Sequence, residues 1–438
     1  MRPMGVSKKR VVTVAATLGL VLGSLVVLPA GHAATTSCRA KNLTTGARSH
    51  ASLQRVINLA DRGAKIQIKG KCVGEFTIEK DLRLIGKATS AEPQPKIDGG
   101  DVARPLYLLG GKRVNVSLTD LMITHGYGGG VGGGIASYVT LRLNGTTSVT
   151  KSEAQYGGGI YNNGGIVVMN DSTSVFANSG SHLTVTGGTG GGIFNSGRGT
   201  VRLNDSASVS GNVAGTRNDG GGTGGGLRNN GTLTLRGAAS VSGNSAFGHG
   251  GGIDNRGTLT LHNSSSVTGN SAPSVAGIYN IGTVSMNGSS LVSENTTHGI
   301  AGGIFNIRNG VVGLNDESSV RANTAGRMGG GIYNRGATVR LRDSSSVAAN
   351  TTGRTGGGIY NDHGSVRLDD AASMTTNTAI KGGGIFNYKG VVTLNGSASV
   401  ATNTASTSGG GIYNDLGAVT LNDSSSVSGN IPDDCLGC

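Results

Sequence analysis

The chain has 438 residues, of which 80 are glycine, 7 proline and none tryptophan, with 14% charged side chains and a formal net charge of +13. The glycine share is far above the usual ~7%, yet no Gly-X-Y period exists, which excludes collagen, and 36% hydrophobic residues exclude a plain glycine-rich linker. Few charges and abundant Gly, Ser, Thr and Asn disfavour long helices and point to an extended β architecture.

The N-terminus reads as an export signal. Arg2, Lys8, Lys9 and Arg10 precede an uncharged apolar run from Val11 to Leu28, and small residues follow at Gly31, Ala33 and Ala34. Cleavage after Ala33 is expected, giving a leader at 1–33, with an uncleaved anchor as the alternative. No second apolar stretch approaches the ~20 residues that span a bilayer, so no membrane span is expected once the leader is gone. The mature protein is expected to be secreted and extracellular.

Residues 34–125 carry 15 basic and 8 acidic side chains, whereas 126–438 carry 18 and 16. Such a basic cap on a nearly neutral body suits extracellular polysaccharide or other acidic cell-surface components. Nucleic acid is not expected, because stacking aromatics are not interleaved with the cations. Within this cap, Ser52 to Asp61 reads as a short capping helix. Irregular coils follow at Ile66–Ile68, Leu82–Ile85 and Leu118–Ile123.

From 126 to 430 the chain repeats. The string Gly-Gly-Gly-Ile-Tyr-Asn at 157–162 recurs in variants, its apolar fourth position falling at Ile135, Ile160, Ile193, Leu227, Ile253, Ile278, Ile304, Ile332, Ile359, Ile385 and Ile412. The intervals are 25, 33, 34, 26, 25, 26, 28, 27, 26 and 27 residues. Two further strings follow in each unit, as in Thr-Val-Arg-Leu-Asn-Asp (200–205) and Ser-Val-Ser-Gly-Asn (208–212). Each alternates apolar and polar with period two, as half-buried strands do. Three short strands cannot bury a face alone, but stacked units bury one continuous core. The expected fold is all-β: a single-stranded, right-handed parallel β-helix solenoid with about three short strands per coil and a small N-terminal cap. Two asparagine columns, one from Asn162 to Asn414 and one from Asn178 to Asn430, are read as structural ladders.

These paired Gly-Gly-Gly-Ile and Val-x-x-Asn motifs resemble the repeats of the pectate-lyase-like parallel β-helix superfamily. They are particularly similar to the Gly-Gly-Ala-Ile and Phe-x-x-Asn repeats of polymorphic outer-membrane adhesins, with Val usually replacing Phe. The resemblance covers roughly 126–430. It implies an adhesin-like role; the adhesins' membrane β-barrel is not expected here.

Four cysteines allow three pairings. Cys38 and Cys72 lie in the cap, and Cys435 and Cys438 in the last segment, 431–438. With a dozen or so coils between, the ends stand on the order of 50–60 Å apart, so the expected pairs are Cys38–Cys72 and a terminal Cys435–Cys438 clip.

Many enzymes of this fold act on acidic polysaccharides, and their signatures are incomplete here. Gly248-His249-Gly250 and the Asp369-Asp370 pair occur in the reverse of the hydrolase order, without Asn-Thr-Asp. The acids are mostly spread singly along turn columns, at Asp171, Asp205, Asp316, Asp343 and Asp423, so neither a metal site nor a cofactor is expected. One region breaks the pattern. The residue after the repeated Ile is usually aromatic, but becomes Arg228 and Asp254 in consecutive coils, just after the two longest intervals. Those insertions bring His182, Arg217 and Asp219, and the next corner carries His249. Candidate catalytic residues are therefore Arg228, to neutralise a uronate, His249, to accept a proton, and Asp254. Candidate binding residues are Arg217 and Asp219, with Tyr333, Tyr360 and Phe386 of the aromatic column, which either stack on sugar rings or on one another. The flat Ser208-Val209-Ser210 type of face is a further, weaker candidate for ordering water. The expectation is a structural, adhesin-like or glycan-binding protein; the alternative is a polysaccharide lyase or glycoside hydrolase working near Arg228.

Overall fold

A computed structural model describes residues 38–438 apart from 47, 50, 51, 91, 182–186 and 217–220. The expected leader, and also His182, Arg217 and Asp219, lie outside the described residues. The chain is an all-β parallel β-helix. A first sheet of 16 strands contains Thr200–Leu203 and its equivalents; second and third sheets of 14 strands contain the equivalents of Ser208–Ser210 and of Ile193–Asn195. Each coil visits the third, first and second sheets in turn. Two-residue strands such as Val213–Ala214 and Thr324–Ala325 form short side sheets at the corner that follows.

The sequence period translates directly into register. Ile160 pairs with Ile193, Ile193 with Leu227 and Leu227 with Ile253, and the column continues to Ile412. These side chains are fully buried, as are the inward Val and Leu of the other two sheets up to the last coil, where Val419 and Val427 are only partly covered and Leu421 is exposed. Alternation is strict: in Thr200–Leu203, Val201 and Leu203 face the core while Arg202 is exposed. Upstream of the repeats, Phe76 and Leu106 occupy the same column as Ile135, so the irregular coils already belong to the stack. Downstream, Cys435–Leu436 adds a last strand, with Cys435 opposite Ile412.

The corners are held by polar columns. Asn162 donates from Nδ2 to Asn195 Oδ1 at 2.8 Å, and this repeats coil by coil to Asn387, which donates to Asn414 at 2.8 Å. The second ladder runs likewise from Asn178 to Asn430. Both are buried, and pairing is what makes buried amides tolerable. At the open end the final donors find other acceptors: Asn430 donates to Asp434 Oδ1 at 3.0 Å and Asn414 to the Gly437 carbonyl at 2.8 Å. The turn acids form a third column. Asp171, Asp205, Asp316, Asp343, Asp370 and Asp423 all have positive φ, which short polar side chains tolerate. Their carboxylates accept backbone N–H bonds from the preceding coil, as Asp343 Oδ2 does from Asp316 N at 2.9 Å. The glycine triplet is needed where coils touch. Gly157 has φ +68°, and a Cβ on Gly158 would stand 2.1 Å from the Ser179 carbonyl oxygen.

The N-terminal end is closed. Helix Leu53–Leu59, capped by Ser52, whose Oγ accepts from Arg55 N, lays Leu53, Val56 and Ile57 over the first coil. Strand Arg39–Asn42 pairs antiparallel with Lys65–Lys69 and covers that sheet edge, and Cys38 is bonded to Cys72. Cys435 and Cys438 lie together at the other end with Cα atoms 6.0 Å apart, within the range for a bridge.

Candidate functional site

The break in the aromatic column gathers charge. Arg228, on strand Leu227–Asn229, stands opposite Asp254, on Ile253–Asn255. Its Nη1 donates to Asp254 Oδ2 at 2.8 Å and to Thr223 Oγ1 at 2.8 Å, while its Nε donates to Asn230 Oδ1 at 3.1 Å. Arg256 closes on the other oxygen, Nε to Oδ1 at 3.3 Å. Asp254 is fully buried, so its carboxylate is surrounded by cations rather than water. His249 reaches the corner through a bridge between its backbone and Thr223. Its Nε2 lies 3.7 Å from Asp254 Oδ2, beyond hydrogen-bond range, and is buried without a partner. The imidazole packs on Tyr279 with centroids 4.1 Å apart.

Electrostatics follow from this packing. Burial depresses the His249 pKa below its ordinary value; nearby Asp254 opposes that shift, while Arg256 and Arg228 reinforce it. His249 is thus held neutral. Burial also lowers the Arg228 pKa and Asp254 counters it, which leaves a guanidinium that stays charged. The three candidate catalytic residues therefore do come together, but Asp254 is spent on two arginines. The cluster presents a neutral imidazole and one side of a tethered guanidinium.

The aromatic column on either side is a ladder. Ring centroids of Tyr279, Phe305, Tyr333, Tyr360, Phe386 and Tyr413 follow one another at 5.6, 4.9, 4.9, 5.2 and 4.9 Å. Tyr360, Phe386 and Tyr413 stack nearly parallel, with interplanar angles of 10° and 5°. Tyr333 and Phe386 are 6% and 8% exposed, and Tyr360 is half-buried. Phe386 is thus covered on both faces by Tyr360 and Tyr413, whereas Tyr333 meets Tyr360 edge to face at 89°; the expected binding residues pack on one another rather than standing free for a ligand.

Two clusters escaped the sequence reading. Asp362 is approached by Arg335 Nε at 3.3 Å, the Tyr333 hydroxyl at 3.3 Å and His363 Nδ1. Burial first, then Asp362, pushes the Tyr333 phenol well above its usual range. This row, three residues after the repeated Ile, exists because the third-sheet strands lengthen to four residues from Ile304–Ile307 onward. In the cap, buried Asp98 is bound by Lys71 at 2.8 Å and lies 3.3 Å from His125. Burial alone would raise its pKa, but Lys71 and the Gly100 N–H bring it below the usual value.

The Asp369-Asp370 pair is divided in role. Both Asp369 oxygens accept from Arg367 Nε at 2.8 Å, and one from Asn395 at 2.7 Å, whereas Asp370 is a turn residue with φ +59°. Among the described residues no group of three His, Cys, Asp or Glu is placed to share a metal ion. Comparison with protein-family models, with characterised proteins and with solved structures returned no match. The class defined by fold and site is thus a parallel β-solenoid with a buried charge cluster set into the outward column of its third sheet.

Proposed function

We propose that the protein is an extracellular, adhesin-like solenoid that binds glycans or other cell-surface components along its outer faces without turning them over. The observation that carries this is Asp254: a carboxylate that is buried and shared between Arg228 and Arg256 is a structural ion pair, not an acid or base open to substrate. An extracellular location is supported by the basic and apolar leader sequence and by the Cys38–Cys72 bond, which suits an oxidising compartment. Among the described residues, no helix is long and apolar enough to cross a membrane. A likeness to the pectate-lyase-like and adhesin repeats rests on the repeat motifs.

The unpartnered Nε2 of His249, neutral and beside a guanidinium, favours a second reading as a lyase or hydrolase site. One experiment separates the two. The protein is incubated with acidic and neutral polysaccharides while chain cleavage and co-sedimentation are followed together. Binding without cleavage is expected. Cleavage that disappears in Arg228→Ala and His249→Ala would overturn the binding reading.

A further inference from the structure

The outward face of the first sheet carries a file of cations that the sequence spacing conceals. Register places Lys65 opposite Arg83, Arg83 opposite Ser117, Ser117 opposite Arg142, Arg142 opposite Val168 and Val168 opposite Arg202. The three arginines therefore occupy one column at every second coil, ~10 Å apart for rises of ~4.8 Å. All three and Lys65 are exposed. Among the described residues none of the four makes an ion pair. Val168 between two of them is 5% exposed although it points outward, as expected where arginine stems lie over an apolar rung.

The surroundings extend the field. At the capped edge Lys41 pairs with Arg48 and Arg39 with Lys69, adding outward cations to the same sheet face. A hollow of about 630 Å³ lies between Lys65, Arg83 and Arg142 and is also lined by Asn115, Ser117 and Asp81. Asp81 is the single acid there, and it is engaged: its Oδ1 accepts from Asn115 N at 2.7 Å and its Oδ2 lies 3.9 Å from Arg62. Alongside the arginine file runs an amide row, in which Asn170 donates to Asn144 and Asn204 to Asn170, each at 2.9 Å. Guanidiniums in line that make no ion pair, with the one carboxylate of the hollow, Asp81, engaged elsewhere, are a receptor for anions in line.

We infer that this face binds a linear polyanionic glycan lying along the solenoid axis, its carboxylate or sulfate groups meeting Arg83, Arg142 and Arg202 in turn. This rests on the glycan-binding reading above and adds the ligand class, the face and the direction. A polysaccharide is favoured over a nucleic acid because no aromatic side chain stands on the outward face of these strands to stack a base. Amides and hydroxyls border the file instead, and these are partners for sugar hydroxyls.

The test uses the full chain on immobilised polygalacturonate, dextran sulfate and neutral dextran, with duplex DNA and phosphatidylserine vesicles as competitors. The variant Arg83→Thr/Arg142→Thr/Arg202→Thr replaces each arginine by the residue found at Thr234 and Thr260 of the same column. It is compared with Arg340→Thr/Arg342→Asn/Arg367→Thr, which removes two cations from the C-terminal part of the same sheet and one from the turn that follows strand Thr338–Leu341. The first variant is expected to lose at least about tenfold in affinity for one or both charged glycans while the second binds as the parent does. Retention should also fall between about 0.1 and 1 M salt, as the screening length drops from ~10 to ~3 Å. The single Arg142→Thr, expected to weaken binding in the same direction, keeps the question decidable if the triple variant unsettles the sheet. Equal binding by parent and first variant would overturn the inference, as would an equal loss in the second variant, which would mean net charge alone. Displacement by DNA or vesicles through the same arginines would overturn the choice of a glycan. Capture by neutral dextran alone would leave the glycan-binding reading standing and end this one; capture by no carbohydrate would end both.

Discussion

One outward column of the third sheet is built in two ways. From Tyr279 to Tyr413 it is a column of rings with centroids 4.9 to 5.6 Å apart, tilted or edge-to-face up to Tyr360 and stacked from Tyr360 to Tyr413. At Arg228 and Asp254 two rungs are charged, and the same geometric slot is filled by an ion pair with Arg256 and His249 leaning on it. The rings need only one another. The charged rungs depend on each other unequally: without Asp254 the buried Arg228 has no carboxylate partner, whereas without Arg228 the carboxylate of Asp254 keeps Arg256 at 3.3 Å. The aromatic stretch is therefore tolerant of exchange between Tyr and Phe, whereas the charged stretch hinges on Asp254.

The sharpest way to break that contrast is Asp254→Ala. It strands Arg228 and is expected to cost about 3–5 kcal/mol, read as a lower midpoint in chemical denaturation. The double exchange Arg228→Phe/Asp254→Tyr continues the ring stack through the break, and is expected to be neutral or up to ~4 kcal/mol stabilising. A double variant as unstable as Asp254→Ala would show that the slot itself, and not the lost pairing, demands charge. Next in size is Asn323→Ala in the corner ladder, which removes the oxygen that accepts from Asn295 Nδ2 at 2.9 Å and from Asn295 N at 3.1 Å, and leaves that backbone N–H without its acceptor. A cost of about 1–3 kcal/mol is expected, against a change within ~0.5 kcal/mol for the outward Ser346→Ala. Equal effects would mean that the ladder is incidental to stability.

The smallest effect is a pH dependence. His249 has a folded-state pKa below its ordinary 6.5, so the unfolded chain takes up the proton first as pH falls. Stability from this group is complete above about pH 6.5 and declines as pH drops toward the folded-state value. His249→Phe keeps a ring against Tyr279 and is expected to flatten the stability profile between pH 6.5 and 5. An unchanged slope would assign the dependence to other groups.

The coil stack was legible because every layer of it is periodic. The Gly-Gly-Gly-Ile strings fix register, alternation fixes which side chains face inward, and the asparagine columns mark the corners. Arg228 and Asp254 were legible as departures from an aromatic column. That Arg256 would join them was not, since its role depends on a turn, and Asp362 was hidden because its row appears only when strands lengthen by one residue. The arginine file was hidden for a different reason. Lys65 and Arg83 lie in coils without glycine triplets, at spacings that follow loop length, so only strand pairing reveals that they share a column with Arg142. Turn acids were legible as turn formers, but their cross-coil acceptance of backbone N–H groups was not.

Both asparagine ladders point the same way, each amide donating toward the C-terminal end, where Asp434 and the Gly437 carbonyl receive the last two protons. A one-way chain has one obligatory stop. For the ladders the coils between are interchangeable, each receiving the hydrogen bond it will pass on, so coils away from the Arg228–Asp254 pair can change in number without breaking either ladder. The solenoid is in this sense a ruler with a fixed end-piece. Its reach is set by how many units are inserted upstream of Asn430, and a version cut short stays sound only if it carries the terminal acceptors with it.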